Sequence, residues 1–138
     1  MNMRRILIMA CATLLAVGCA GNSQVQQECT SAPGTVKTVS VEEFAKTITR
    51  DGVRLIDVRT PKEYAEEHLS KAENIDVKAP DFGERTKNVK GTVAVYCRGG
   101  RRSLQAATQL AAQGCTVYDL GGGIMAWKAA GQPTTLQK

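Results

Sequence analysis

Aromatic side chains are scarce in this 138-residue chain, at 4% of the residues, so its core must be built from Val, Ile, Leu and Ala. The five cysteines are too few and too scattered for a disulfide scaffold. No group of Cys and His residues has the spacing of a metal site, and the chain contains no phosphate-binding loop or dinucleotide motif. We therefore expect no metal and no cofactor.

The excess of basic over acidic residues is also small. The chain has 18 basic and 13 acidic residues, and without residues 1–18 the balance falls to 16 and 13, a net charge of +3. There is no basic run with interleaved aromatic residues, so we expect no nucleic acid partner. The length suits one domain, and the 43% hydrophobic content is typical of a globular protein.

The chain begins with a basic segment, Met1–Arg5, followed by an apolar run over 6–17. This layout is typical of a secretory signal peptide, and the run is too short to span a bilayer as a helix. The sequence Leu-Ala-Val-Gly-Cys ending at Cys19 resembles the lipobox of bacterial lipoproteins, which implies a signal peptide over 1–18 and lipidation of Cys19. Plain secretion with cleavage near Ala20 is the alternative. The resemblance implies a lipid anchor in the bacterial cell envelope, and the absence of Asp after Cys19 favours the outer membrane, facing the periplasm.

Residues 19–35 are rich in Ser, Gln, Gly and Thr, and this composition predicts a flexible tether. Over 36–135, strand-like and helix-like stretches alternate. The predicted strands are 36–39, 53–58, 75–77, 92–96 and 117–120, and the predicted helices are 41–49, 61–67, 81–87, 103–113 and 124–130. Such alternation predicts an α/β domain, an open parallel sheet with helices on both faces.

Two helix starts carry specific signals. Ser40 and Glu43 have the spacing of a capping box before the first helix. Thr60 and Pro61 read as an N-cap followed by proline at the first helical position.

The most informative segment is Cys-Arg-Gly-Gly-Arg-Arg-Ser over 97–103, which we call the Cys97 loop. It follows the predicted strand 92–96, and ligands bind beyond the carboxyl ends of strands in open parallel sheets. The helix predicted after it directs unpaired backbone N–H groups and its positive dipole end to the same place.

The residue types in the loop favour an anionic ligand. Two glycines, Gly99 and Gly100, let several backbone N–H groups converge on one anion. Three basic side chains, Arg98, Arg101 and Arg102, add forked donors suited to a tetrahedral oxyanion. The loop therefore predicts a cradle for a small anion.

Cationic neighbours and a helix N-terminus stabilise a thiolate, so Cys97 is a candidate nucleophile toward a sulfur or phosphorus centre that carries negative oxygens. The alternative is that Cys97 is a small buried hydrophobic residue beside an exposed turn. The order of strand, glycines, arginines and helix favours the reactive thiol.

Cys97, Arg98, Gly100, Arg102 and Ser103 match the pattern Cys-Arg-x-Gly-x-Arg-Ser of the active-site loop of rhodanese-like sulfurtransferases. Three further segments resemble motifs of that family. Residues 55–64 contain its Asp-Val-Arg motif, 68–75 resemble its His-Ile-Pro-Gly-Ala-x-Asn-Ile motif with Ser-Lys in place of Pro-Gly, and 121–133 resemble its closing motif.

This resemblance implies a rhodanese-like fold over 36–135 and sulfur transfer through a persulfide on Cys97. The thiolate would attack the outer sulfur of thiosulfate or a similar anionic donor, and a thiol, a protein thiol or cyanide would accept the sulfur. The N–H groups of Gly99–Ser103 would hold the persulfide, and the loop arginines would orient the donor. Asp57 and Arg59 would support the site through an internal ion pair or hydrogen bonds. The related phosphatases have five residues between Cys and Arg, whereas four residues separate Cys97 from the loop's last arginine, which favours sulfur over a phosphate ester.

Two other functions remain open. The chain could carry sulfur or bind a partner without turnover, or Cys97 and Cys115 could exchange disulfides, although they do not form a Cys-x-x-Cys motif. Otherwise Cys115 is predicted to be buried packing, and Cys29 could pair between molecules. His68 and Trp127 are predicted to be structural.

Overall fold

The computed structural model describes residues 32–136. The predicted signal peptide, the lipidation site Cys19, Cys29 and most of the predicted tether lie outside the described residues. Within them are the strands β1 (Thr35–Val39), β2 (Arg54–Asp57), β3 (Glu73–Asn74), β4 (Thr92–Tyr96) and β5 (Thr116–Leu120). The helices are α1 (Val41–Ile48), α2 (Pro61–Glu66), α3 (Phe82–Thr86), α4 (Arg101–Ala112) and α5 (Gly123–Ala129).

The strands form one sheet in the order β1-β5-β4-β2-β3, and every neighbouring pair is parallel. Side chains alternate between the two faces of a strand, so a central strand needs apolar residues on both. In β4, Val93 and Val95 pack with α3 and α4, whereas Ala94 and Tyr96 pack with α1 and α5. The predicted fold class, an open parallel sheet with helices on both faces, is confirmed.

The edge strand β3 differs from its prediction. Glu73 and Asn74 pair with Ile56 and Asp57, whereas residues 75–77 were predicted to form the strand. The N–H groups of Ile75 and Val77 still donate to the carbonyls of Asp57 and Val58, at 2.9 Å and 3.2 Å, so the chain follows the edge of the sheet beyond the two strand residues. Ile75 is fully buried because it packs in the core, and this burial produced the strand-like pattern.

Helix α4 also begins earlier than predicted, at Arg101 rather than Ser103. Gly100 is its N-cap residue and has a φ of 102°, in the left-handed region that glycine adopts without steric cost. Arg101 and Arg102 therefore belong to the first turn of the helix, and their side chains extend from it in different directions.

The start of the described chain packs on the domain. The N–H of Gly34 donates to the Ala111 carbonyl of α4 at 2.8 Å, and a Cβ atom at Gly34 would lie 1.8 Å from the carbonyl oxygen of Cys115. Strand β1 then begins at Thr35, so the last two residues of the predicted tether are part of the packed structure. Between residues 32 and 136, no helix is long and apolar enough to cross a membrane.

Candidate active site

The Cys97 loop lies at the carboxyl end of the central strand β4 and leads directly into α4. Cys97 is 1% exposed, and its Sγ accepts a hydrogen bond from the N–H of Gly100 at 3.0 Å. Ser103 is also buried, and its hydroxyl donates to the Gly100 carbonyl at 3.1 Å. The first N–H groups of α4 have no acceptor within the helix, so the thiol faces backbone donors at a helix N-terminus.

Backbone N–H groups at the start of α5 donate hydrogen bonds to carbonyl groups of the Cys97 loop. The N–H of Ile124 donates to the Cys97 carbonyl at 2.8 Å, and the N–H of Met125 donates to the Arg98 carbonyl at 3.2 Å. These two bonds fix the backbone on which the thiol is carried, and they depend on the close approach of Gly123 to the loop.

The three loop arginines, which the sequence does not distinguish, have different environments. Arg102 is partly buried and makes a bidentate ion pair with Glu63, with both N–O distances at 2.8 Å. The hydrogen bond with Glu63 is the main cause that raises the pKa of Arg102, although partial burial opposes it. Arg98 and Arg101 are exposed, and no side-chain hydrogen bond holds either of them within residues 32–136.

Glu63, which the sequence patterns do not single out as a site residue, joins this loop to α2. Its carboxylate accepts from the N–H of Thr60 at 3.1 Å while the Thr60 hydroxyl accepts from the N–H of Glu63, which completes a capping box. The Thr-x-x-Glu spacing predicts such a box as well as the Ser40 and Glu43 spacing does. At Ser40, only the bond from the Glu43 N–H to the Ser40 hydroxyl, at 3.3 Å, is present among the described residues.

Replacing Glu63 with glutamine should make the protein less stable at neutral pH and remove part of its acid sensitivity. The hydrogen bond from Arg102, opposed by burial and assisted by Thr60, lowers the pKa of Glu63 from 4.5 to about 2. A lowered carboxyl pKa contributes stability that is complete above 4.5 and is lost as the pH falls toward 2. We expect E63Q to lose about 2 kcal/mol at pH 7 in urea unfolding, and to show a flatter pH dependence between 4.5 and 2. An unchanged slope in that range would contradict this role of Glu63.

Asp57 and Arg59 form a buried ion pair beside the end of β4. The Nη2 atom of Arg59 lies 2.6 Å from Oδ2 of Asp57, and the same nitrogen donates to the Glu67 carbonyl at 2.6 Å. Burial lowers the pKa of Arg59, but the hydrogen bond and the charge of Asp57 outweigh this and raise it. Both residues are almost completely inaccessible to solvent, so they contact neighbouring protein groups rather than a donor molecule.

The ion pair contacts Tyr96, the residue immediately before Cys97. The Arg59 guanidinium lies 5.6 Å from the centre of the Tyr96 ring, and the Tyr96 hydroxyl accepts from the N–H of Leu69 at 3.0 Å. Burial and the charge of Asp57 raise the pKa of Tyr96, which keeps the phenol protonated. The pair therefore supports the strand end from which the Cys97 loop departs.

Cys115 lies far from Cys97. It immediately precedes Thr116, which pairs with Thr92 at the start of β4, whereas Cys97 follows the end of that strand. At about 3.3 Å per residue, the two cysteines are separated by roughly 20 Å along the strands. A disulfide requires Cα atoms within about 7 Å, so disulfide exchange between these two cysteines is incompatible with the fold. Cys115 is buried and its thiol donates to the Val89 carbonyl at 3.3 Å, as expected for core packing.

His68 and Trp127 have structural environments. The Nδ1 atom of His68 lies 2.8 Å from the Tyr64 carbonyl oxygen, and its ring stacks on that of Tyr64. Trp127 is buried against Phe44, and its indole N–H donates to the Pro133 carbonyl at 2.9 Å. The predictions for both residues are confirmed.

Asp119 on β5 is a second polar residue that the sequence patterns do not single out. It is 2% exposed, and its Oδ2 accepts from the Thr38 hydroxyl at 3.1 Å, while Oδ1 has no hydrogen-bond partner among the described residues. Burial raises the pKa of Asp119, and the hydrogen bond from Thr38 and the nearby Ser103 hydroxyl oppose the shift. The position of Asp119 inside an otherwise apolar predicted strand, 117–120, is the sequence feature that could have indicated a buried polar contact.

Comparisons with known proteins agree with this geometry. Residues 40–130 match the model of the Rhodanese-like domain family. Thiosulfate sulfurtransferase GlpE of Pseudomonas fluorescens is 30% identical over 96 residues, which cover 69% of this chain and 88% of that protein. Thiosulfate sulfurtransferase 16, chloroplastic, of Arabidopsis thaliana is 38% identical over 96 residues, covering 60% of this chain and 80% of that protein.

Two further matches are a longer relative and a solved structure. An uncharacterized protein of Synechocystis sp. is 32% identical over 117 residues, which cover 84% of this chain but only 61% of that protein. The crystal structure of a rhodanese-related protein from Thermoplasma volcanium superposes with a TM-score of 0.66 at 26% identity, covering 73% of this chain and 99% of that one. With the family model matching most of the chain, the resemblance seen in the Cys97 loop is confirmed, and the chain belongs to the rhodanese-like family of sulfurtransferases.

Proposed function

We propose that the protein transfers a sulfane sulfur from thiosulfate or a similar anionic donor to a thiol, through a persulfide on Cys97. The observation that carries this proposal is the position of the Cys97 thiol, at the end of β4 and in contact with the N–H of Gly100 at the start of α4. Two relatives that bear the name thiosulfate sulfurtransferase support the choice of donor.

In the first half-reaction, the Cys97 thiolate attacks the outer sulfur of thiosulfate. A bond forms between Sγ and that sulfur, the sulfur–sulfur bond of the donor breaks, and sulfite leaves with the bonding electron pair. In the second half-reaction, an acceptor thiolate or cyanide attacks the outer sulfur of the persulfide, and Cys97 leaves as a thiolate. Atoms and electrons balance without any further oxidant or reductant.

The loop residues have separate roles in this scheme. The N–H groups of Gly99–Ser103 hold the charge of the persulfide, as the bond from Gly100 to Sγ suggests. Arg98 and Arg101 are exposed and orient the anionic donor. Arg102 is fixed by Glu63 in the first turn of α4, and it supplies positive charge at the end of the helix that the thiol faces.

Incubation of the full-length protein with thiosulfate should add the mass of one sulfur atom, and a reductant should remove it. The variant C97S should show no gain and no turnover, because serine forms no persulfide. C115S is the matched control and should gain sulfur normally, since Cys115 lies at the other end of the sheet. If sulfur were not added while Cys97 was a free thiol, the persulfide mechanism would be wrong and a binding module would be favoured.

We also propose that Cys19 is lipidated and anchors the protein in the bacterial cell envelope, on the side of the outer membrane that faces the periplasm. The lipobox-like sequence before Cys19 supports this. In a bacterial host grown with a labelled fatty acid, we expect wild type and C29S to carry the label and sediment with membranes, whereas C19S should lose both. An unlabelled wild-type protein in the soluble periplasmic fraction would support plain secretion instead.

A further inference from the structure

A cleft of about 260 Å³ lies against the Cys97 loop, lined by three acidic, three basic and two apolar side chains. One of its lining residues, Arg98, directly follows Cys97. The two apolar ones, Ile124 and Met125, donate their backbone N–H groups to the carbonyls of Cys97 and Arg98. A molecule bound in the cleft therefore lies against the loop that carries the proposed persulfide.

Most of the charges that line this cleft already have partners. Arg59 is neutralised by Asp57, and Glu63 is neutralised by Arg102. Glu67 forms an ion pair with Lys128, which also lines the cleft, and this contact is the main cause that lowers the pKa of Glu67. These groups shape the cleft but offer little net charge to a ligand.

Two lining residues of opposite charge are different. Glu66, the last residue of α2, and Arg98 in the loop are both exposed, and neither has an ion pair within residues 32–136. They do not pair with each other, so the cleft presents one carboxylate and one guanidinium that are both without an ion-pair partner among the described residues. A ligand that bridges them needs one ammonium group and one carboxylate.

We propose that the cleft binds the sulfur acceptor, and that the acceptor is a zwitterionic aminothiol acid of the cysteine type. Its ammonium group contacts Glu66, its carboxylate contacts Arg98, and its thiolate reaches the persulfide on Cys97. The cleft is slightly smaller than the ~300–1,000 Å³ typical of pockets for drug-sized ligands, which suits a molecule of amino acid size. Ile124 and Met125 provide apolar contact for the carbon chain of the acceptor.

This inference rests on the proposed function and specifies its second half-reaction. The acceptor thiolate forms a bond to the outer sulfur of the persulfide, and the bond between that sulfur and Sγ breaks with its electron pair on Cys97. The acceptor leaves as its own persulfide. Because sulfite has departed before the acceptor enters, Arg98 is free to contact first the donor and then the acceptor carboxylate.

The test separates the two half-reactions. The full-length protein is first loaded with thiosulfate, the persulfide is verified by intact mass, and excess donor is removed. The rate of sulfur loss is then measured with L-cysteine, with cysteamine, which lacks the carboxylate, and with 3-mercaptopropionate, which lacks the ammonium group. Each variant is compared with wild type for the same thiol, so differences in thiol reactivity cancel.

We expect E66Q to lower the second-order rate constant about fivefold for cysteine and for cysteamine, and to leave that for 3-mercaptopropionate unchanged. R98Q, loaded to the same extent, should show the complementary pattern, with losses for cysteine and 3-mercaptopropionate and none for cysteamine. E42Q removes an exposed glutamate from α1, outside the cleft, and should match wild type with all three thiols.

An equal effect of E66Q on the rate constants of all three thiols, or no effect on any of them, would overturn the acceptor site. The alternative acceptor would then be a protein thiol. Failure of sulfur loading is seen by mass before any acceptor is added. It would overturn the proposed function together with this inference, so the two failures are distinguishable.

Discussion

Replacement of Asp57 by asparagine is expected to lower the free energy of unfolding by about 3–5 kcal/mol, because it leaves the buried guanidinium of Arg59 without a counterion. Asp57 is fully buried, Arg59 is 4% exposed, and four hydrogen bonds from Arg59 to the Asp57 carboxylate would be lost or weakened. Asparagine keeps the size of the side chain but turns an NH2 group toward the guanidinium donors. Urea unfolding at pH 7 measures the loss.

The exposed ion pair between Arg54 and Glu73, on the neighbouring strands β2 and β3, provides the comparison. Its side chains are 41% and 46% exposed, so E73Q should cost less than about 1 kcal/mol. A double replacement of the buried pair by apolar residues, D57L with R59M, should recover part of the stability lost in D57N, because no unpaired charge is left behind. Equal losses in D57N and E73Q would contradict the structural role of the buried pair.

The sequence predicts the Cys97 loop well because all of its parts are contiguous. A buried strand, two glycines, three arginines and a helix start occupy adjacent positions, and the parallel sheet fixes where a strand end must lie. The helix start was placed two residues too late because glycine at the N-cap gives no side-chain signal, unlike Thr60 or Ser40. That shift decides the direction in which the Arg102 side chain extends.

Contacts between segments that are far apart in the sequence could not be predicted from contiguous residues. Glu63 and Arg102 are 39 residues apart, and nothing in their local patterns indicates that one neutralises the other. By contrast, the distance between Cys97 and Cys115 could have been inferred. Cys97 directly follows one strand and Cys115 directly precedes the next, so in a parallel sheet the two cysteines lie at opposite ends.

The second large effect is expected at Gly123, where alanine should slow sulfur loading by about 100-fold or more. A Cβ atom there would lie 2.4 Å from the carbonyl oxygens of both Cys97 and Arg98, which are backbone atoms that have no flexible side chain to move. The loop must shift to relieve this contact, and a displacement of about 1 Å at a reacting group costs on the order of 10² in rate. The shift also breaks the bonds from Ile124 and Met125 that hold the loop.

Backbone strain alone does not account for this effect, and Gly52 separates the two causes. Gly52 has a φ of 78°, comparable with the 60° of Gly123, but a Cβ atom at Gly52 meets nothing within 4 Å. G52A should therefore lose about 1 kcal/mol of stability from the left-handed conformation and load sulfur at the wild-type rate. Loading is measured by intact mass at intervals after thiosulfate is added, on protein verified as folded by circular dichroism. If G123A and G52A loaded sulfur equally fast, the contact between α5 and the Cys97 loop would not position the thiol.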